Sequence, residues 1–323
     1  MLAVFLVTFP FFSLIAAGYL AARRRILPLE SIPGLNAFVL YFALPCMLYR
    51  FGASTPIGQL LDGSVVLVWG LCALLMVGAV VLFTRNARIG WNDGAFGALV
   101  AAFPNTGFMG VPLVSAILGA QAAGPVILTI AFDMIVTSSL CIALSRLDGA
   151  GAHGVARAVK QALRGAFLNP MPWSILIGAA ASAAQWTPPG PIDKTVAMLA
   201  DAASPAALFT IGAVLARAAM QARVAGQPAR VSDVLPIVFA KLLVHPLLVL
   251  GVALAARALG LPLSLPATAT LVLVAALPSA SNVSMLAERF GADNGRIARI
   301  ILWTTVAAFF TFPLAVRQLA AWR

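Results

Sequence analysis

Ala102-Phe103-Pro104-Asn105-Thr106-Gly107-Phe108-Met109-Gly110-Val111-Pro112 lies in the middle of an apolar run and interrupts it. Pro104 has no N–H to give a helix, and its ring clashes with the preceding turn. Asn105 and Thr106 are natural N-caps for a helix that restarts beyond the break. Gly107 and Gly110 permit close backbone approach. A counterpart, Leu277-Pro278-Ser279-Ala280-Ser281-Asn282-Val283-Ser284, interrupts a second run in the same way. Unpaired N–H and C=O groups at mid-membrane depth are costly unless they are buried in protein or face water. A lone proline would read as a packing kink satisfied by neighbouring helices. Two breaks in corresponding positions point to a binding site where the broken helices cross, formed by Asn105, Thr106, Gly107, Ser279, Ser281 and Asn282. The restarting half-helices would aim their positive ends at that site, which favours an anion.

The composition around these stretches requires a bilayer. Of 323 residues, 62% are hydrophobic and only 10% charged. Mean hydropathy is +1.00. Soluble domains carry about 25% charged residues, so an ordinary soluble enzyme and a disordered chain are both excluded. A spanning helix needs about 20 apolar residues. Ten runs qualify, at about 2–22, 32–51, 63–84, 94–118, 124–145, 168–186, 195–216, 233–256, 266–287 and 297–316. The first is not a typical signal peptide: it has no basic leader, and Arg23, Arg24 and Arg25 follow it directly.

The net charge of +11 would suggest nucleic acid in a soluble protein, but here the basic residues alternate with the runs. Of 21 Lys and Arg, fifteen fall on one side, and Arg50, Lys194, Arg257, Arg317 and Arg323 on the other; Lys241 lies within a run. By the positive-inside rule the richer side is cytoplasmic. Ten spans then place both termini outside, in a bacterial inner membrane. No nucleic-acid partner is expected. Cys46, Cys72 and Cys141 form no CxxC or Cys/His cluster, so no metal site is expected.

Several residues recur at an offset of 160. Pro10, Ile15 and Gly18 match Pro170, Ile175 and Gly178. Pro45, Leu48, Gly52 and Ala53 match Pro205, Leu208, Gly212 and Ala213, while Tyr49 and Phe209 are both aromatic. Ala101 to Pro104 answers Ala275 to Pro278 at an offset of 174. Five spans is an odd number, so the second copy enters the membrane from the opposite side. The expected fold is an all-α membrane protein of two inverted five-helix repeats, at 1–147 and 168–323. Residues 148–167 form a cytoplasmic linker. There Val155, Val159, Leu163 and Phe167 recur every four residues, which suits either an interfacial helix or a solvated basic linker.

Ionisable residues inside a membrane are expensive and mark function. Asp133 and Asp201 each lie roughly 12–14 Å deep at about 1.5 Å per residue. Lys241 and His245 are one turn apart and share a helix face. Asp133, Asp201 and Lys241 are candidates to carry a coupling H+ or Na+; no other cofactor is expected. For Asp201 a local backbone cap is the alternative, and for Lys241 a simple ion pair or snorkelling. Neither aspartate stands in Gly-x-Gly-Asp, and the chain has no Gly-x-Ser-x-Gly elbow and no P-loop, which argues against an intramembrane enzyme or an ATP-driven pump.

Leu35 to Pro45, Phe103 to Pro112, Asn169-Pro170 and Pro278 to Asn282 together resemble the auxin efflux carrier family. The resemblance covers essentially the whole chain. It implies a ten-helix, sodium/proton antiporter-like fold with broken crossing helices four and nine. It also implies a scaffold of spans one, two, six and seven, a mobile transport domain, alternating access and a homodimer. Asn105 and Asn282 would meet a substrate carboxylate. Bacterial relatives include malonate and malate permeases, so a dicarboxylate is the first expected substrate and an auxin-like monocarboxylate the next. A sodium/proton or sodium/bile-acid type carrier of the same fold is the alternative. The chain lacks the long central loop of the plant carriers and has no lysine near Pro278.

Overall fold

The computed structural model describes residues 2–55, 58, 62–86, 88–147, 160, 164, 170–224 and 231–319. Among them the chain is helical and forms no strand. We number the helices α1 (Leu2–Arg23), α2 (Leu29–Ser54), α3 (Gly63–Thr84), α4 (Trp91–Ala102), α5 (Thr106–Leu118), α6 (Ala123–Leu144), α7 (Pro170–Ala183), α8 (Gly190–Val224), α9 (Val231–Ala258), α10 (Leu265–Ala275), α11 (Val283–Arg289) and α12 (Asn294–Leu319). Six are long and apolar enough to cross a membrane: α2, α3, α6, α8, α9 and α12. The other expected runs lie on α1, on α7, and on the pairs α4–α5 and α10–α11, whose pieces are each too short to span alone. The expected interfacial helix with Val155, Val159, Leu163 and Phe167 lies outside the described residues.

The outer surface is apolar where a soluble protein would be charged. Leu82 and Phe83 of α3 are 77% and 88% exposed, while Trp69 and Met76 of the same helix are buried. The starts of α3 and α10 are capped by side chains. Asp62 accepts from the N–H of Ser64 at 2.9 Å and of Val65 at 3.3 Å. Ser264 accepts from Ala267 at 3.2 Å, with Pro266 in the first turn.

Three helices, α2, α5 and α9, carry a π turn just before a proline. Val39–Ala43 precedes Pro45, Thr106–Gly110 precedes Pro112, and Ala240–Val244 precedes Pro246. The proline ring would strike the carbonyl four residues back, and widening the turn relieves that clash. A fourth π turn, Asp133–Thr137, has no proline; there the Ser138 hydroxyl donates to the Asp133 carbonyl at 2.8 Å.

α1 packs along α8, and α2 along α7, through glycines without side chains to hold the backbones apart. A Cβ on Gly18 would lie 1.9 Å from the Phe209 carbonyl oxygen, and one on Gly178 2.2 Å from that of Tyr49. A Cβ on Gly212 would lie 1.9 Å from the Ile15 oxygen, and one on Gly52 2.6 Å from that of Ile175. Shifting either member of one pair by 160 residues gives the other pair. The same close contact is therefore made twice, with the two copies exchanged.

Candidate functional site

Both proline breaks open the backbone, and the two open segments satisfy each other. α4 ends at Ala102 and α10 at Ala275. Between them Pro104 and Ser279 form an isolated antiparallel bridge. The Asn105 N–H donates to the Pro278 carbonyl at 2.8 Å, and the Ala280 N–H to the Phe103 carbonyl at 3.0 Å. The Ser279 N–H reaches the Thr304 hydroxyl of α12 at 3.3 Å. The two open segments and α12 thus supply partners to the broken backbone, which meets the cost of broken helices in a membrane.

The side chains at the crossing are buried, and of them the Thr106 hydroxyl reaches the Pro104 carbonyl at 3.4 Å. Asn105, Thr106 and Ser279 are 2%, 0% and 0% exposed. Among the described residues, the Oδ1 atoms of Asn105 and Asn282 and the Ser279 hydroxyl are buried without a hydrogen-bond partner. Asn105 was expected to cap α5 with its side chain. It stands at the N-cap position, but makes no side-chain cap bond. Its backbone carbonyl instead accepts from Met109 at 3.0 Å and Gly110 at 3.1 Å, because the helix restarts as a π turn. The expected close approach holds at Gly110, where a Cβ would lie 2.9 Å from Leu277. It fails at Gly107, where a Cβ would meet nothing within 4 Å. The second restart is brief: α11 has seven residues, so the half-helix dipole on that side is limited.

A cavity of about 480 Å³ abuts the crossing. Ser281, Asn282 and Phe108 form one wall, Asn36 and Tyr41 of α2 another, and Thr210 and Arg217 of α8 a third. Glu288 and Arg289 of α11 also line it. Of the expected binding residues, Ser281 and Asn282 line this space. Asn105, Thr106, Gly107 and Ser279 are not part of its lining. Sequence reasoning missed Asn36, Thr210, Arg217 and Arg289. The available signal was periodic: Ala207, Thr210, Ile211, Val214 and Arg217 fall on one face of a helix.

A second polar group lies at the C-terminal end of α10. Asp133 is fully buried. Its Oδ1 accepts from Trp69 Nε1 at 3.1 Å and from the Thr137 hydroxyl at 2.8 Å, whereas Oδ2 has no partner. Lys241, also fully buried, donates through Nζ to the Ala275 carbonyl at 2.8 Å and lies 3.0 Å from His245 Nδ1. The His245 ring stands 5.5 Å from that of Trp69, and its Nε2 has no partner. Lys241 therefore does not snorkel. Its ammonium sits at the C-terminal, negative end of α10, one residue before the crossing segment begins. Asp133 and Lys241 share this group without a direct ion pair, whereas Asp201 stands apart from it. The Asp201 side chain is 79% exposed and lies 3.6 Å from Arg50 of α2.

A family profile described as Membrane transport protein matches residues 3–316. A Rhizobium meliloti (strain 1021) protein named "Putative malonate transporter" is 30% identical over 94% of this chain and 91% of its own length. "Uncharacterized transporter YfdV" of Escherichia coli (strain K12) is 25% identical over 87% of this chain and 86% of its own. "Auxin efflux carrier component 8" of Arabidopsis thaliana is 21% identical over 65% of this chain and 71% of its own.

Proposed function

The chain belongs to the membrane transport protein family, the auxin efflux carrier family of its sequence motifs, and on that premise we propose that it is a secondary active carrier of small organic anions. Its family and relatives are transporters, not enzymes. The observation that carries this reading is the cavity walled by Ser281 and Asn282 beside a crossing whose buried Ser279 hydroxyl, a potential donor, lacks a partner. Buried polar groups left unpaired cost about 1–3 kcal/mol each, so a site that keeps them has another use for them. Asn amides and serine hydroxyls can donate to a carboxylate.

A dicarboxylate such as malonate or malate is the first substrate class and an auxin-like monocarboxylate the second. The "malonate" in the name of the 30% identical relative supports the first. The carrier has ten spans in two inverted five-helix repeats, with both termini outside the bacterial inner membrane. The exchanged glycine contacts at an offset of 160 support the repeat. α1, α2, α7 and α8 form the scaffold and dimerise; the remaining helices move against it to give alternating access. Asp133 and Lys241 couple that movement to H+ or Na+.

Uptake of labelled malonate into proteoliposomes under an imposed H+ or Na+ gradient tests this, with malate and indole-3-acetate as competitors. Saturable uptake that follows one gradient is the expected result; no uptake by folded, inserted protein would remove it. A cation carrier of the same fold is a second reading, favoured by the unpartnered Asp133 Oδ2. Cation exchange in vesicles free of organic anion would select it.

A further inference from the structure

The cavity has two chemically different ends. On α8, Arg217 lies seven residues beyond Thr210, which is about 10 Å along the axis. On the facing wall, Arg289 lies seven residues beyond Asn282, a similar distance. Thr210 and Asn282 mark the end at the crossing; Arg217 and Arg289 mark the other. Side chains on a helix lean toward its N-terminus. For Arg217 that direction leads back along the cavity toward the crossing; the Arg289 guanidinium stands 5.9 Å from the Phe290 ring centre. Arg217 is half-buried and Arg289 exposed. Among the described residues neither makes an ion pair within 4.0 Å, and neither does Glu288, the one acid on the lining. Two guanidinium groups against one carboxylate leave this end of the cavity with a net positive charge.

We propose that Arg217 and Arg289 bind the second carboxylate of a dicarboxylate whose first carboxylate is held at Ser281 and Asn282. The proposal rests on the carboxylate-carrier reading above and adds where the dianion is told from a monoanion. A guanidinium presents parallel N–H donors that match a carboxylate and are charged at all relevant pH values. The amides and hydroxyls at the crossing serve either kind of substrate equally. Selection for the second charge therefore falls to the arginine end. Glu288 opposes it there and limits how tightly a dianion is held, which lets the substrate leave.

The test uses the full-length protein in proteoliposomes with two labelled probes of one carbon skeleton. Malonate carries two carboxylates; in malonamate one is a neutral amide. The readout is the ratio of their KM values. Losing one charge-assisted contact corresponds to about a tenfold change or more. Arg217→Gln and Arg289→Gln should each lower the preference for malonate by that factor. Arg217→Lys, which keeps the charge without the fork, should restore part of it. Glu288→Gln should raise the preference, a gain that a merely structural disturbance would not produce. An unchanged ratio in both glutamine variants, or an equal loss for both probes, overturns the proposal while the carrier reading stands. Wild-type protein that transports neither probe overturns the carrier reading and this proposal with it.

Discussion

Asn105 contributes no side-chain hydrogen bond to the fold, although it is 2% exposed. Asn105→Ala should therefore change stability by less than about 1 kcal/mol, since truncation removes an unsatisfied group. Substrate affinity should fall by about tenfold or more. Thermal melting and malonate uptake measured on one preparation check both parts, and wild-type transport by the variant would defeat the assignment. Asp133 makes the complementary case. Trp69 and Thr137 both donate to its Oδ1, and an asparagine amide oxygen accepts the same two bonds. Asp133→Asn should fold and yet flatten the dependence of transport on pH or Na+; unchanged dependence removes Asp133 from coupling. Asn105 and Asn282 were legible in the sequence because a proline followed by short polar residues has a local meaning. Thr210, Arg217 and Arg289 were not. A cavity wall drawn from several helices exists only after packing, and a basic residue near a helix end otherwise reads as a mark of orientation.

At the scale of elements, the glycine contacts and the π turns differ in how far the sequence reveals them. Gly18 with Gly178 and Gly52 with Gly212 stand out as matches at one offset, and the structure supplies the reason. Each meets a backbone carbonyl of a crossing helix, which cannot move aside as a side chain can. Gly18→Ala or Gly212→Ala should force α1 and α8 apart and destabilise by about 1–3 kcal/mol or more. Gly178→Ala should do the same to α7 and α2. Gly78→Ala in α3, where a Cβ meets nothing within 4 Å, should be neutral or slightly stabilising, because alanine is the better helix former. Yield and thermal stability in detergent separate the two classes. A Gly18→Ala protein as stable as Gly78→Ala would disprove the contact. The π turns escaped the sequence reading. Pro45, Pro112 and Pro246 carry no local sign of a wider turn, because whether a proline is absorbed by a break or a wider turn depends on whether the carbonyl freed at i−4 finds another donor. At Pro104 it is absorbed by a break, because Pro278 breaks opposite and the two open backbones pair.

At the scale of the whole molecule, the alternation of charge and the position of the cavity make one joint claim. Arg217 and Arg289 belong to the basic, cytoplasmic set in the sequence, and both line the cavity. If the positive-inside assignment holds, the cavity end carrying them faces the cytoplasm. Lys194, at the start of α8, belongs to the sparse set and is exposed. It lies more than twenty residues before Arg217 on one continuous helix, about 34 Å along its axis, which is enough to cross a bilayer. Single cysteines at these two ends should therefore label from opposite sides. Cys72 and Cys141 are buried, so a Cys46→Ala background leaves little else for a reagent to reach. Lys194→Cys should react with a membrane-impermeant maleimide on intact cells, and Arg289→Cys only after permeabilisation. Addition of malonate should slow the Arg289→Cys reaction, because the substrate and the reagent compete for one cavity. The opposite labelling pattern would invert the topology. Labelling of both positions from one side would break the assignment of ten spans, which puts an odd number of crossings, α8, α9 and the α10–α11 pair, between them.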